Sequence, residues 1–193
     1  MNDIIKPGAG ILFMKVGTHA QEDLAAIIDR KSKEIEDEGF AMWGYGGSTC
    51  HPLSMVQPFA EMFQQRGAPI HLVMQEMNSK HSADPVRADQ YSMDTINWID
   101  IPPGIHVLGS RYALMLKSLD RQTFKLQLDQ TRVPVGKSTG RAGNRYLRGQ
   151  VDKACLEVLD HREISNEDEA KEVEISLVAE LKAPYAVFLR NKA

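Results

Sequence analysis

Apolar positions along the chain fall into short runs whose spacing sorts them into strands and helices. Ile11 to Val16 is almost unbroken apolar and stops at Gly17, which reads as a buried strand. Thr18 and Gln21 have capping-box spacing, and Leu24, Ile27, Ile28, Lys31 and Ile35 then trace one face of a helix that Gly39 closes. Phe40 to Trp43 reads as a short strand entering a glycine-rich loop, residues 44–52. A second helix begins near Ser54 or Gln57, accepts Pro58 in its first turn, buries Phe59, Met62 and Phe63, and stops at Gly67.

Ile70 to Met77 is the next strand. Residues 78–104 follow as a long polar connection with Asp84-Pro85 and Pro102-Pro103, inside which Tyr91 to Ile101 forms an ordered piece. From Ile105 the period turns to β. Arg111 to Leu119 and Thr123 to Leu128 alternate on either side of a Leu-Asp-Arg-Gln turn, as in a hairpin. Asn144 stands as an N-cap before Leu147, Val151, Ala154 and Val158, spaced 4, 3 and 4 residues apart, which predicts a third helix. After an acidic connector (165–172), Val173 to Leu181 and Tyr185 to Arg190 flank a Lys-Ala-Pro turn as a closing hairpin. Late strands joined by short turns predict an α+β fold: a mixed or largely antiparallel sheet with about three helices packed on it. The expectation is one domain over residues 1–193, with a loose start over 1–9 where Pro7 and Gly8 delay regular structure.

Composition fits this picture. Of 193 residues, 42% are apolar and 25% charged, ordinary values for a globular chain. The net charge of −3 argues against non-specific coating of nucleic acid, so any such contact is local. Charge is uneven, however. Residues 132–148 carry five bases (Arg132, Lys137, Arg141, Arg145, Arg148) and no acid, whereas 157–174 carry eight acids against two bases. Two cysteines make neither a disulfide framework nor a zinc knuckle. No signal-like segment and no stretch of about 20 apolar residues occurs, so a soluble cytoplasmic setting without a membrane partner is the default.

The basic stretch is the leading candidate site. Three glycines (Gly136, Gly140, Gly143) and two hydroxyls sit among the bases, directly before the predicted third helix. Guanidinium groups crowded at the positive end of a helix oppose its stability unless an anion lies between them. Lys137, Ser138, Thr139, Arg141, Asn144, Arg145 and Arg148 would hold a phosphate, which the arginine fork fits bidentately. The plain alternative is a surface loop paired with the acidic connector. Val135-Gly-Lys-Ser-Thr resembles the tail of a P-loop, but the pattern needs glycine at position 131, which is threonine, so a Walker-type NTPase is rejected.

A second candidate is Trp43-Gly-Tyr-Gly-Gly-Ser-Thr-Cys-His-Pro52. Glycines admit a flat ligand close to the backbone, and Tyr45 or Trp43 would stack on it. Trp43 alone reads more readily as core. Cys50 next to His51 raises nucleophilic chemistry, although adjacent side chains diverge, so the partner base would be His71, His81 or His106. Cys155 reads as packing. The six histidines show no metal-ligand spacing, and no metal or cofactor is called for.

These readings predict a protein that binds a phosphate-bearing ligand, a nucleotide or nucleic acid, between the basic loop and the glycine–aromatic loop. The competing classes are a Cys50-dependent enzyme and an adaptor or homo-oligomer docking through charge.

Overall fold

The computed structural model describes residues 4–45, 51–81, 85–147, 153–164 and 172–192. The fold is α+β, as the pattern predicts: helices lie on a large, mostly antiparallel mixed sheet. Strand β1 (Gly10–His19) runs three residues past the predicted end, through a register shift between Val16 and Thr18. Ala20 and Gln21 then turn the chain with left-handed φ of 47° and 66°, and His19 and Glu22 exchange amide-to-carbonyl bonds across them. The N-cap of helix α1 (Leu24–Glu38) is therefore Asp23, whose carboxylate accepts from the Ala26 amide at 2.8 Å, and not the Thr18–Gln21 box. Gly39 closes α1 at φ 77°, where a side chain would be strained. Strand β2 (Ala41–Tyr45) leads by way of His51 to helix α2 (Leu53–Gln65), which contains Pro58 in its interior and ends before Gly67.

Strand β3 (Ile70–His81) lies parallel to β1; the other strand pairs described are antiparallel. Within the long connection, β4 (Gln90–Ser92) and β5 (Ile99–Asp100) form a small hairpin over the expected ordered piece. The next two strands, β6 (Tyr112–Leu116) and β7 (Asp120–Gln127), do not form the predicted hairpin with each other. Both run antiparallel to the last strand, β10 (Glu172–Arg190), β7 along 172–178 and β6 along 181–188. The closing hairpin is likewise absent, since β10 is one strand. Lys182–Tyr185 sit between Leu181, paired with Leu116, and Ala186, paired with Leu114, so they make a bulge instead of a reversal. Residues 112–127 and 172–188 thus form one long ribbon. Local spacing identified the strand segments but could not tell a turn from a bulge.

The predicted third helix is also overturned. After β8 (Thr131–Arg132), helix α3 is a single turn, Gly143–Tyr146, and residues 153–158 form strand β9 between β1 and β8. Ala154, Leu156 and Val158 point to one apolar cluster and Cys155 to the other, so both faces of β9 are buried. A strand buried on both faces is apolar throughout, and that imitates a helical stripe.

Three apolar clusters form among the described residues. The first lies between α1, α2 and the sheet and includes Leu12, Leu72, Trp43, Tyr45, Phe59 and Phe63. The second covers the opposite face with Ile11, Phe13, Leu126, Leu156 and Ile175. Ile5 belongs to it and the Gly8 amide bonds the Val158 carbonyl, so residues 5–8 of the stretch expected to be loose are irregular but docked, while residues 1–3 lie outside the described residues. In the third, residues 88–107, from the long connection into the segment that follows it, roof the β2–β6–β10 end through Ile101, Ile105 and Val107. An irregular segment there serves as a layer of core.

Candidate functional site

Helix α2 organises both predicted sites. Its N-cap is Pro52, no side chain among the described residues caps it, and His51 stands immediately before it. Strand β2 approaches from the other side and ends at Tyr45; residues 46–50, including Cys50, lie outside the described residues. Register with β6 puts residues 41, 43 and 45 on the helix side of the sheet. Trp43 is part of the core there. Tyr45, expected to face a ligand, is fully buried, its ring edge-on to Tyr112 with centroids 5.6 Å apart. Two glycines beside an aromatic do not expose it when period-2 alternation aims it inward. The Tyr112 hydroxyl donates to the His51 carbonyl, so the aromatic pair supports the chain just before α2.

His51 is 6% exposed, and its Nε2 has no hydrogen-bond partner among the described residues. Burial, and then the positive charge of Lys153, pushes its pKa down to about 4, so the ring is neutral at pH 7. A neutral imidazole with an open nitrogen can accept or donate one hydrogen bond to a ligand.

The basic stretch folds as a compact loop. The Val133 amide donates to the Arg141 carbonyl (2.9 Å) and the Gly140 amide to Val133 (2.8 Å). The Arg141 amide donates to Ser138 (3.0 Å), while the Thr139 amide and hydroxyl both reach the Gly136 carbonyl. The backbone donors at Thr139, Gly140 and Arg141 therefore face the chain's own carbonyls, which removes them from the predicted phosphate cradle. The long helix it was to precede is gone as well. Asn144 is buried inside the single turn of α3, whose N-cap is Ala142. Arg145 donates to the Ile164 carbonyl at 2.8 Å, and Arg132 reaches Glu157 at 3.4 Å, a carboxylate also held by Arg66 at 2.6 Å. Lys137 and Arg141 are exposed; Arg148 lies outside the described residues.

What the fold does bring together is the tip of this loop and the start of α2. A Cβ on Gly136 would lie 2.6 Å from Met55 Cε, and Val135 packs against the cluster that holds Leu53 and Val56. Segments some 80 residues apart in sequence thus meet beside His51. Of the histidines named as partners for Cys50, His71 lies on the opposite face of β3 from Ile70 and Leu72, away from the helices, and neither ring nitrogen has a partner among the described residues. The connection carrying His106 is tied to α1 instead, and the His81 side chain is not described. Cys155 is buried, and desolvation pushes its thiol up to about 12, so it is inert packing.

Sequence reading missed a buried charge cluster on α1. Lys31 donates to both Glu34 oxygens (3.2 and 2.9 Å) and to the His106 carbonyl (2.6 Å). Arg30 donates to Glu22, Glu34 and the same carbonyl, and the His106 amide donates to Glu34 (3.0 Å). Every Lys31 proton has an acceptor, so the cluster is a clamp on the connection rather than a vacancy for substrate. Its signal was a lysine and a glutamate at i, i+3 inside an apolar stripe. A separate open cleft of about 440 Å³ at the start of α1 is lined by Thr18, Asp23, Glu76, Asn78 and Arg121. Its charges already have roles, Arg121 facing Glu76 at 3.7 Å and Asp23 capping the helix.

Among the described residues no group of three histidine, cysteine or acidic side chains is placed to hold a metal. None of the described helices is long and apolar enough to cross a membrane. Comparison with protein-family models, with curated proteins and with solved structures gives no match. The site must therefore be read from its own chemistry.

Proposed function

We propose that the protein binds a phosphate-bearing ligand, a nucleotide or a nucleic-acid end or loop, where the basic loop meets the first turn of α2. The observation that carries this reading is the packing of Gly136 on Met55, which sets Lys137 beside a 13-residue helix that has no side-chain cap among the described residues. A helix start carries positive partial charge, and although the Met55 and Val56 amides donate to the Pro52 carbonyl, the amides of Leu53 and Ser54 precede them in the first turn. The buried, neutral His51 adds one open nitrogen at the same end of the helix. The ligand is held by ammonium and guanidinium side chains together with the end of α2, since the loop's own amides are engaged.

Calorimetry with a nucleoside triphosphate, a short single-stranded oligonucleotide and inorganic phosphate tests this. Replacing Lys137 and Arg141 together with Ala is expected to weaken binding at least about tenfold, because each charged hydrogen bond is worth roughly 1.5–3 kcal/mol. Arg145 is left in place because it ties down the Ile164 carbonyl. No binding by the parent protein, or equal binding by the double variant, removes the reading.

The alternative is a Cys50-dependent enzyme; of its named partners, His71 lies on the face of β3 away from the helices and the connection carrying His106 is tied to α1. Rapid alkylation of Cys50 by iodoacetamide at neutral pH, with Cys155 spared, supports it; slow alkylation of both counts against it.

A further inference from the structure

The β4–β5 hairpin is built to hold its shape and to show apolar side chains. Asp94 accepts from the Ile96 amide (2.8 Å), the Asn97 amide (2.7 Å), the Asn97 side chain (2.7 Å) and the Ser92 hydroxyl (2.9 Å). Those bonds, that of the Asn97 amide first, hold its carboxyl far below the usual range. Trp98 donates to the Thr95 carbonyl at 3.0 Å, and the Arg190 guanidinium sits 4.1 Å from its ring centre. On this locked turn Met93 is 58% exposed, Ile96 79% and Ile99 50%. Nothing within the hairpin requires those three to be apolar.

The outer edge of β5 is open as well. The Leu189 amide donates to the Arg111 carbonyl, so Leu189 faces β6 while Phe188 and Arg190 face β4. By the same alternation Tyr91 faces Ile99, and the amides and carbonyls of Trp98 and Asp100 point outward. No described strand other than β4 pairs with β5. Such an edge invites another strand unless it is blunted. Pro102 and Pro103, which lack amide protons, limit how far pairing can extend.

We propose that β5 pairs antiparallel with β5 of a second copy about a twofold axis at Ile99. Asp100 and Trp98 of each chain would exchange backbone bonds with Trp98 and Asp100 of the other, and the two Ile99 side chains would meet across the axis. Local charge argues for a copy of the same chain over a charged partner. Lys192 pairs with Asp100 at 2.8 Å, and its amide bonds Asp89; Arg190 is turned onto Gln90 and Trp98. Asp89, Asp94 and Asp100 are matched in number by Arg87, Arg190 and Lys192, so no net charge recruits a basic or acidic peptide or opposes a second copy. A two-residue edge ended by a turn and two prolines closes on itself as a dimer and cannot propagate. Its contact is far smaller than the roughly 800 Å² per partner of a standard interface, so the association is weak.

Sedimentation of the full chain across a concentration series is expected to show a monomer–dimer equilibrium. Ile99→Lys places like charges directly opposite each other and should weaken it at least about tenfold. Ile164→Lys, on another exposed isoleucine, should leave it unchanged. Hydrogen exchange of the parent gives an independent readout: protection of the Trp98 and Asp100 amides must rise with protein concentration. A chain that stays monomeric to about 1 mM, or that dimerises without protecting those two amides, overturns the proposal.

Discussion

A Cβ added at Gly143 would overlap the Thr131 hydroxyl and lie 2.9 Å from the Leu128 carbonyl oxygen. That space is needed because the single turn of α3 presses on the 3-10 turn Leu128–Gln130. Gly143→Ala is expected to destabilise the protein by about 1–3 kcal/mol in urea titration, through overpacking against backbone that cannot yield. His51 makes a different prediction at the same scale. Its pKa is about 4 when folded and about 6.5 when exposed, so the unfolded chain takes up the proton first. The stability at stake is fully present above pH 6.5 and is lost as pH falls towards 4. It is at most about 3 kcal/mol, less what solvent screens. Burial lowers His71 too and adds in the same sense. His51→Gln should flatten the acid limb of a pH–stability curve; an unchanged limb would show that His51 is not neutral in the fold.

At the scale of elements, α1 is joined to the connection over the third cluster by charge. Glu34→Gln leaves the buried Lys31 ammonium without its counter-charge and is expected to cost about 3–5 kcal/mol, whereas replacing both residues with Met and Leu should cost much less. Chemical denaturation of the three proteins checks this, and equal losses in the single and double variants would contradict it. Burial pushes Lys31 down to about 8 despite Glu34. The unfolded lysine keeps its proton to about pH 10.5, so between pH 8 and 10.5 this group makes the fold more stable as pH rises. Cys155 opposes it above pH 9, because the folded thiol holds its proton to about 12 while the unfolded one ionises. The long ribbon 112–127 with 172–188 is the element that joins the two halves of the sheet, since β10 pairs with β3 on one side and with β6 and β7 on the other.

For the whole molecule, the ligand proposal makes a linkage prediction. A ligand that binds only the folded chain stabilises it by about 2.7 kcal/mol at 100 times its dissociation constant. Melting with a nucleoside triphosphate should therefore move upward in the parent and not in the Lys137, Arg141 double variant. Dimerisation through β5 should make the melting temperature depend on protein concentration, and that dependence should vanish in Ile99→Lys. The two responses are independent, because the loop lies on α2 and the hairpin on the far end of β10.

Much of the local structure was legible in the chain itself. Runs such as Ile11–Val16 and Ile70–Met77, the 3.6-residue stripe of α1 with Gly39 after it, and the apolar face of α2 rest on side-chain spacing and backbone sterics between near neighbours. The candidate site was legible only as two suspicious segments. That Tyr45 turns into the core, that the amides of Gly140 and Arg141 close on their own loop, and that Gly136 lies on Met55 depend on strand register and loop closure between distant residues. The same holds for β9, whose helix-like spacing yields to pairing with β1 and β8, and for β10, which passes through Lys182–Tyr185 without reversing. Near-neighbour sterics act whatever the rest of the chain does. Which edge a strand pairs with, and whether a break becomes a turn or a bulge, is decided by burial that only the assembled sheet supplies.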